Sequence, residues 1–422
     1  TTKVKNIMAL TYKITKPSAL KATVSLPASK SISNRALILN ALAQGDTNQL
    51  TNISDCDDTN VMLKALTFKS NDINIGAAGT SMRFLTAFLS ATPSTWSITG
   101  SERMKQRPIK ILVEALRKIG ADIEYIGNEG FPPLKINGKE LEGGEIELDG
   151  SVSSQYISAL LMIAPKLKKG LCLKLTGEVI SKPYIKMTLS MMKDFGIESR
   201  FSGNIIEVKP QAYCKTAYEI ESDWSGASYW YEMMAISKSG EIRLKGLRKN
   251  STQGDSLIAE YFKNYGINTE YTADGVTLTY DHSLTSADDT IEIDFVEQPD
   301  MAQTFVVTSC ALNRKFHFYG LRSLKIKETD RIAALTNELR KLGYVLSEPK
   351  DGELAWDGTR ADTQANAVID TYEDHRMALS FAPFSLTGAS ICVRNPQVVS
   401  KSYPDFWNDI AKAGFTIEET DL

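Results

Sequence analysis

Two kinds of apolar segment alternate along this chain. The first is amphipathic, ends in a basic residue and a glycine, and leads into a strand, a turn and a second strand. It is written as ILVEALRKIGADIEYIG…PPLKING (111–138), MTLSMMKDFGIESRFSGNIIEVKP (187–210), SLIAEYFKNYGINTEYTADGVTLTY (256–280) and RIAALTNELRKLGYVLSEPKDGELAWDG (331–358). Apolar residues at helical spacing predict a helix with one buried face in each. Gly120, Gly196, Gly266 and Gly343 fall where a helix C-terminus takes a left-handed residue. A weaker copy spans 55–75, and 404–419 starts another. A strand near MALTYKIT would complete that last unit, so the ends of the fold meet.

The second kind has no polar face. ALILNALA, FLTAFLSA, ISALLMIA, SYWYEMMAI, FVVTSCAL and MALSFAPF follow starts near Ser29, Gly79, Ser153, Asp223, Asp300 and Asp374. A helix apolar on every side must be buried. Two helices and several strands per unit, six times over, predict an α/β fold of six similar subdomains. A solenoid is the plain alternative. Insertions and the meeting of the ends favour two globular lobes of three units each. If the buried helices of each lobe point the same way, their positive ends face a cleft.

At 422 residues the chain can bury two substantial cores. The 48 Lys and Arg against 51 Asp and Glu leave a formal charge of −3, which gives no general field for nucleic acid or an anionic membrane. A basic stripe interleaved with aromatic residues, as single-stranded nucleic acid requires, is also missing. Cys56, Cys172, Cys214, Cys310 and Cys392 are odd in number and far apart, and read as reduced structural thiols. His282, His317 and His375 show no ligand spacing, so no metal site is expected. No apolar run reaches the roughly 18 residues that span a bilayer. The start has no signal-peptide core, and a cytoplasmic protein is expected.

On this mildly acidic background, basic residues gather at helix starts. LPASKSISNRALILNALA (26–43) puts Lys30, Ser31, Ser33 and Arg35 where free N–H groups and the positive dipole end collect anions. Taken alone, it reads equally well as a solvated, serine-capped first turn. Arg103, Lys105 and Arg107 lie in SERMKQRPIK, and Lys327 and Arg331 lie beside Glu328 and Asp330 in KETDR. Arg376 follows Asp374 and His375 in EDHRMALS, and Lys401 lies in VVSKSYPDFW. Scattered solvated charge would not keep choosing such junctions. The pattern points to small ligands bearing phosphate or carboxylate. Without further context Asp300 is an N-cap, Glu328 a capping or ion-pairing residue and His375 a structural hydrogen-bonding residue. Trp224 and Trp230 read as core.

LPASKSISNRA, GAAGTSMRFL, SSQYISALL, ISKPYI, KETDRI, EDHRMA and SKSYPDF occur in this order over nearly the whole chain. Together they make it resemble the 5-enolpyruvylshikimate-3-phosphate synthase family of enolpyruvyl transferases. The resemblance implies two domains of three βαβαββ-type units each, with buried helices pointing at an interdomain cleft. Residues 26–223 would form the N-terminal-type domain, holding shikimate 3-phosphate. Residues 1–25 with 224–422 would form the C-terminal-type domain, holding phosphoenolpyruvate and the acid/base residues. The lobes are expected to close about crossovers near 26–28 and Asp223. The implied reaction transfers the enolpyruvyl (carboxyvinyl) group of phosphoenolpyruvate to the 5-hydroxyl of shikimate 3-phosphate and releases phosphate. It proceeds by addition and elimination, on the route to chorismate and the aromatic amino acids. No cofactor and no metal are implied, and the partners are the two small substrates of a monomer, with no nucleic acid and no membrane.

Both substrates carry a carboxylate and a phosphate, so four mutually repelling anions must be held together. Each charge-assisted hydrogen bond contributes about 1.5–3 kcal/mol, and several are needed. By resemblance, Lys30, Ser31, Arg35, Ser153, Ser154, Gln155, Ser181, Tyr184, Asp300, Ser323 and Lys327 hold shikimate 3-phosphate. Lys30, Gly79, Arg107, Gln155, Arg331, Arg376 and Lys401 hold phosphoenolpyruvate, with Gly79 approached closely because it has no Cβ. Asp300 is assigned to the hydroxyl proton and Glu328 to the methylene, with Lys30 as a proton carrier. Cations around Glu328 favour its carboxylate form, which leaves its route to acting as an acid open.

The chain departs from the family at Ala77, where an Asn is common, at Ser323, where another Asn is common, and at Phe84, where Pro often follows the arginine. These changes bear on single contacts and on the response to glyphosate, the family inhibitor that competes with phosphoenolpyruvate. Retention of Gly79 implies sensitivity to it. The nearest competing reading is the enolpyruvyl transferase acting on UDP-N-acetylglucosamine, whose members often carry a reactive cysteine in the loop matching 103–108. Here that loop has no thiol. A non-catalytic anion-binding paralogue would have lost acid/base residues, and Asp300 and Glu328 are both present.

Overall fold

The structure, a computed structural model, describes residues 10–67 and 69–422. The chain divides into two compact units. The N unit comprises Ala28–Glu221 with Thr252–Gly254. The C unit comprises the described part of Thr1–Pro27 with Ser222–Ser251 and Asp255–Leu422. Each has its own hydrophobic core.

Period-two alternation makes the strands. Leu171, Leu173 and Leu175 turn inward from Leu171–Thr176, as Ile242 and Leu244 do from Glu241–Lys245. In the N unit, Asp72–Asn74 lies parallel to Ser94–Thr99, followed by antiparallel Leu134–Gly138 and Asp122–Tyr125. The same order recurs in Gly144–Asp149, Leu171–Thr176, Ile205–Val208 and Ser199–Ser202. Leu50–Thr51 and Tyr218–Glu219 form only a short parallel pair. Asn52, in the left-handed region at φ 56°, turns the chain out of the strand there.

The C unit repeats the order in Lys21–Ser25, Glu241–Lys245, Gly275–Tyr280 and Ile267–Tyr271. It recurs again in Val368–Ile369, Ile391–Arg394, Thr11–Thr15 and Thr416–Thr420. The third sheet has three strands, Thr290–Asp294, Lys315–Tyr319 and Leu354–Trp356. Thr11–Thr15 thus lies between strands from the far end of the sequence. The opening residues of the strand expected there, up to residue 9, lie outside the described residues.

The helices without a polar face are buried. In the N unit these are α1 (Lys30–Leu42), α3 (Gly79–Ser90) and α4 (Ser154–Ile163), with α2 (Asp57–Ala65) and α5 (Lys182–Asp194) beside them. In the C unit they are α6 (Trp224–Ser237), α7 (Ala302–Ala311) and α9 (His375–Phe381), with the amphipathic α8 (Arg331–Lys341) against α7. Gly120, Gly196, Gly266 and Gly343 all have positive φ at the ends of their helical segments. One predicted helix differs. The 256–265 stretch is a run of short turns, Gly254–Leu257, Ile258–Tyr261 and Phe262–Tyr265. Tyr261, Phe262 and Tyr265 pack around Phe305 with ring centroids 6.0, 4.3 and 5.8 Å away. That aromatic packing outweighs the helical periodicity of the segment.

Candidate active site

Helix starts come together in the N unit through their first-turn side chains. Ser29 caps α1, accepting from the Ile32 amide, and the next residue, Lys30, reaches Asp58 of α2 at 3.2 Å. The Asp58 carbonyl in turn accepts from Ser81 of α3 at 3.1 Å. Gln155 Nε2 of α4 donates to Thr80 Oγ1 of α3 at 3.0 Å. Ser153 caps α4, and Ser154 is its first residue. Arg107 lies on the bare backbone of Gly79: a Cβ there would stand 2.7 Å from Nη1 and 3.0 Å from Nη2. The Arg107 Nε is buried without a hydrogen-bond partner.

Arg35 is turned inward from this cluster. Its fork donates to Thr188 Oγ1 at 2.7 Å, the Ser31 carbonyl at 2.9 Å and Ser158 Oγ at 3.2 Å, tying α1 to α4 and α5. Phe84 and Tyr184 cover its guanidinium, with ring centroids 5.2 and 5.8 Å away. Phe84, one of the departures from the family pattern, therefore packs on Arg35. Burial pulls the Arg35 pKa down to about 10, which leaves it charged at neutral pH. Ser181 precedes α5 in the left-handed region, at φ 54°, without a side-chain cap bond.

Arg331 organises the C unit cluster. Only 2% exposed, it is the first residue of α8, whose N-cap is Asp330. Its Nε donates to Asp374 Oδ2 at 2.7 Å, Nη1 to Asp300 Oδ1 at 2.8 Å and Nη2 to Glu328 Oε2 at 2.9 Å. Lys327 Nζ is 3.1 Å and Arg376 Nη2 is 3.9 Å from Asp300, while Lys401 Nζ is 3.8 Å from Glu328. Asp374 also caps α9, accepting from the Arg376 amide at 2.9 Å. Asp300 is no helix cap; it sits in a 3₁₀ turn, Pro299–Met301, leading into α7. Ser323 lies in the turn Arg322–Ile326, its hydroxyl buried without a hydrogen-bond partner.

Burial works to raise the Asp300 carboxyl, but Lys327, Arg376 and Arg331 outweigh it and hold the group far below the usual carboxylate range. Burial likewise opposes the charge on Arg331, and Asp374, Glu328 and Asp300 more than reverse that. Beneath Arg376, the Tyr229 hydroxyl lies 3.4 Å from Nη1 and is pushed up to about 12 by burial.

Sequence reasoning missed Asp58 as the partner of Lys30, Asp374 as the partner of Arg331, and Asp255. The carboxylate of Asp255 is buried, bonded to Ser225 of α6 on one oxygen and without a hydrogen-bond partner on the other. Burial raises its pKa, against Ser225 and Arg376. Its QGD context offered no signal. Asp374 was visible as a helix start but not as an ion-pair partner.

Cations and carboxyls clustered near helix starts in each unit, with Asp300 held ionised, define an α/β protein with the chemistry to receive small polyanions. The EPSP synthase family model, described as 3-phosphoshikimate 1-carboxyvinyltransferase, matches residues 14–69 and 67–410. A 3-phosphoshikimate 1-carboxyvinyltransferase of Bacteroides fragilis is 58% identical, over 96% of this chain and 98% of its own length. One from Haemophilus influenzae is 37% identical, over 94% and 97%. EPSP synthase from Acinetobacter baumannii shares the fold, with a TM-score of 0.78 at 22% identity over 97% of this chain and 100% of that one. The chain belongs to the EPSP synthase family, whose members are transferases, and the resemblance carried by its seven motifs holds.

The low Asp300 pKa has a consequence for stability. Below about pH 4 an unfolded aspartate takes up a proton, whereas folded Asp300 stays ionised. Its stabilising contribution is complete above that pH and falls as the solution is acidified. Thermal midpoints measured from pH 4.5 to 2.5 should drop more steeply for the wild type than for Asp300→Asn. Parallel curves would contradict the charge assignment.

Proposed function

We propose that the chain transfers the carboxyvinyl group of phosphoenolpyruvate to the 5-hydroxyl of shikimate 3-phosphate, with release of inorganic phosphate. One observation carries this reading: a single buried guanidinium, Arg331, bonds both Asp300 and Glu328 while Lys327, Arg376 and Lys401 stand beside them. Lys30, Ser31, Arg35, Ser153, Ser154, Gln155, Ser181 and Tyr184, with Asp300, Ser323 and Lys327, are assigned to shikimate 3-phosphate. Arg331, Arg376 and Lys401, with Lys30, Gly79, Arg107 and Gln155, are assigned to phosphoenolpyruvate.

In the addition step, the 5-hydroxyl oxygen bonds to C2 of the enol, its proton passes to Asp300, and C3 gains a proton at Glu328, with Lys30 as carrier. In the elimination step, C3 returns a proton to Glu328, the bond from C2 to the phosphate oxygen breaks, and the phosphate leaves with the proton that Asp300 took from the hydroxyl. The cations that keep Asp300 ionised in the free protein are also the ones the substrates' anions engage. Binding therefore loosens their grip on Asp300 and makes it a better base when the hydroxyl is in place. Five unpaired cysteines support a reducing, cytoplasmic setting, and a formal charge of −3 supports action on small molecules rather than on nucleic acid or membrane; the chain is assigned as a monomer. Among the described residues, no helix is long and apolar enough to cross a membrane.

A phosphate-release assay tests the reaction. Phosphoenolpyruvate with shikimate 3-phosphate should release phosphate, and phosphoenolpyruvate with UDP-N-acetylglucosamine should not; the reverse pattern would refute the proposal. Gly79→Ala tests the anion contact. The added Cβ meets the end of a flexible side chain, so Arg107 moves and the fold stays intact. The thermal midpoint should be unchanged, the KM for phosphoenolpyruvate should rise about tenfold and inhibition by glyphosate should weaken. An unchanged KM would remove Arg107 from the site.

A further inference from the structure

Helix α8 holds one loop from both of its ends. At its start, Arg331 grips Asp374. At its far end, Glu338 is fully buried, and its two oxygens go to the loop that precedes Asp374. Oε2 accepts from the Asp370 amide at 3.0 Å and from Lys341 at 2.6 Å, and Oε1 accepts from the Tyr372 hydroxyl at 2.6 Å. Lys341 also bonds the Val368 carbonyl and the Asp370 carboxylate, both at 2.9 Å. Thr371 is held separately, its hydroxyl donating to the Arg394 carbonyl at 2.9 Å.

The loop so held is under backbone strain. Tyr372 and Glu373 are consecutive non-glycine residues in the left-handed region, at φ 53° and 56°. Side-chain-bearing residues reach that conformation only when their surroundings impose it. These two residues immediately precede Asp374, the cap of α9, and Arg376 follows two positions later, so their dihedrals bear on where that cap and the guanidinium of Arg376 stand. Burial, and next the bond to Glu338, push the Tyr372 hydroxyl up, so it remains the donor of that bond at working pH.

We propose that Glu338, acting through Tyr372 and Lys341, is a positioning residue for Arg376 and Asp374, and that it sets the affinity for phosphoenolpyruvate rather than for the second substrate. This rests on the assignment of Arg376 to phosphoenolpyruvate. The network fixes two strained residues in the one conformation that aims Arg376, and it touches no substrate itself.

The test is steady-state kinetics of full-length variants, with thermal midpoints measured in parallel. Tyr372→Phe removes one hydroxyl from a ring that is 38% exposed, so the fold should survive. Its KM for phosphoenolpyruvate should rise about tenfold, the equivalent of one lost hydrogen bond, with kcat and the KM for shikimate 3-phosphate nearly unchanged. Adding Glu373→Gly, which takes the left-handed conformation without strain, should restore most of that affinity. A merely structural prop would show no such rescue. Glu338→Gln should behave like Tyr372→Phe. Arg376→Lys separates the two layers of the argument. If it raises the KM for phosphoenolpyruvate while Tyr372→Phe does not, the positioning role is wrong. If it leaves that KM unchanged, the assignment of Arg376 falls and the proposal falls with it. Equal losses for both substrates, or no rescue by Glu373→Gly, would also overturn the proposal.

Discussion

Arg331 is charged and almost completely withdrawn from water, and much of the C unit site follows from that. A buried guanidinium is tolerated only when its donors are met by acceptors of opposite charge in good geometry. Its fork satisfies the condition with Asp374, Asp300 and Glu328, which come from separate parts of the chain. Removing any of them would leave charge uncompensated in a low-dielectric setting. The need to satisfy one buried cation therefore fixes the relative positions of these carboxyls, Asp300 and Glu328, the proposed acid/base pair, among them. Arginine suits this task better than lysine because its fork is planar and reaches several acceptors at once.

The N unit reaches a comparable result by another route. Among the described residues, no single buried cation joins its helix starts. Instead Lys30 with Asp58, Ser81 with the Asp58 carbonyl, and Gln155 with Thr80 link α1, α2, α3 and α4 one to the next. Arg35, deeper, ties α1 to α4 and α5 through Ser158 and Thr188. The apolar helices can approach so closely because they lack a polar face, and their backbone N–H groups then collect at shared ends. The packing that buries the helices and the proposed device for gathering anions are one arrangement.

Much of this was legible in the sequence. Helices α1, α4, α6 and α9 begin at the predicted points because small polar residues (Ser29, Ser153, Asp223 and Asp374) cap them, whereas α3 and α7 start without a side-chain cap. The cationic residues could be found because they recur at those starts. Partners far apart in sequence could not: nothing in the order of residues says that Asp58 meets Lys30 or that Asp374 meets Arg331. Asp255 was invisible because a lone carboxyl in a polar loop looks like solvated charge until its burial is known. The stretch at 256–265 failed differently. Its periodicity is helical, but the aromatic cluster around Phe305 decides the local geometry.

The central claim is that one guanidinium holds both carboxyl groups of the reaction in register. Arg331→Lys tests it most directly, because lysine keeps the positive charge and gives up the fork. Phosphate release at saturating phosphoenolpyruvate and shikimate 3-phosphate, measured well below the variant's unfolding temperature, should show kcat reduced by about 100-fold or more, within the range of lost acid–base catalysis. A kcat within about threefold of wild type would contradict the account, since Asp300 and Glu328 would then need no common anchor.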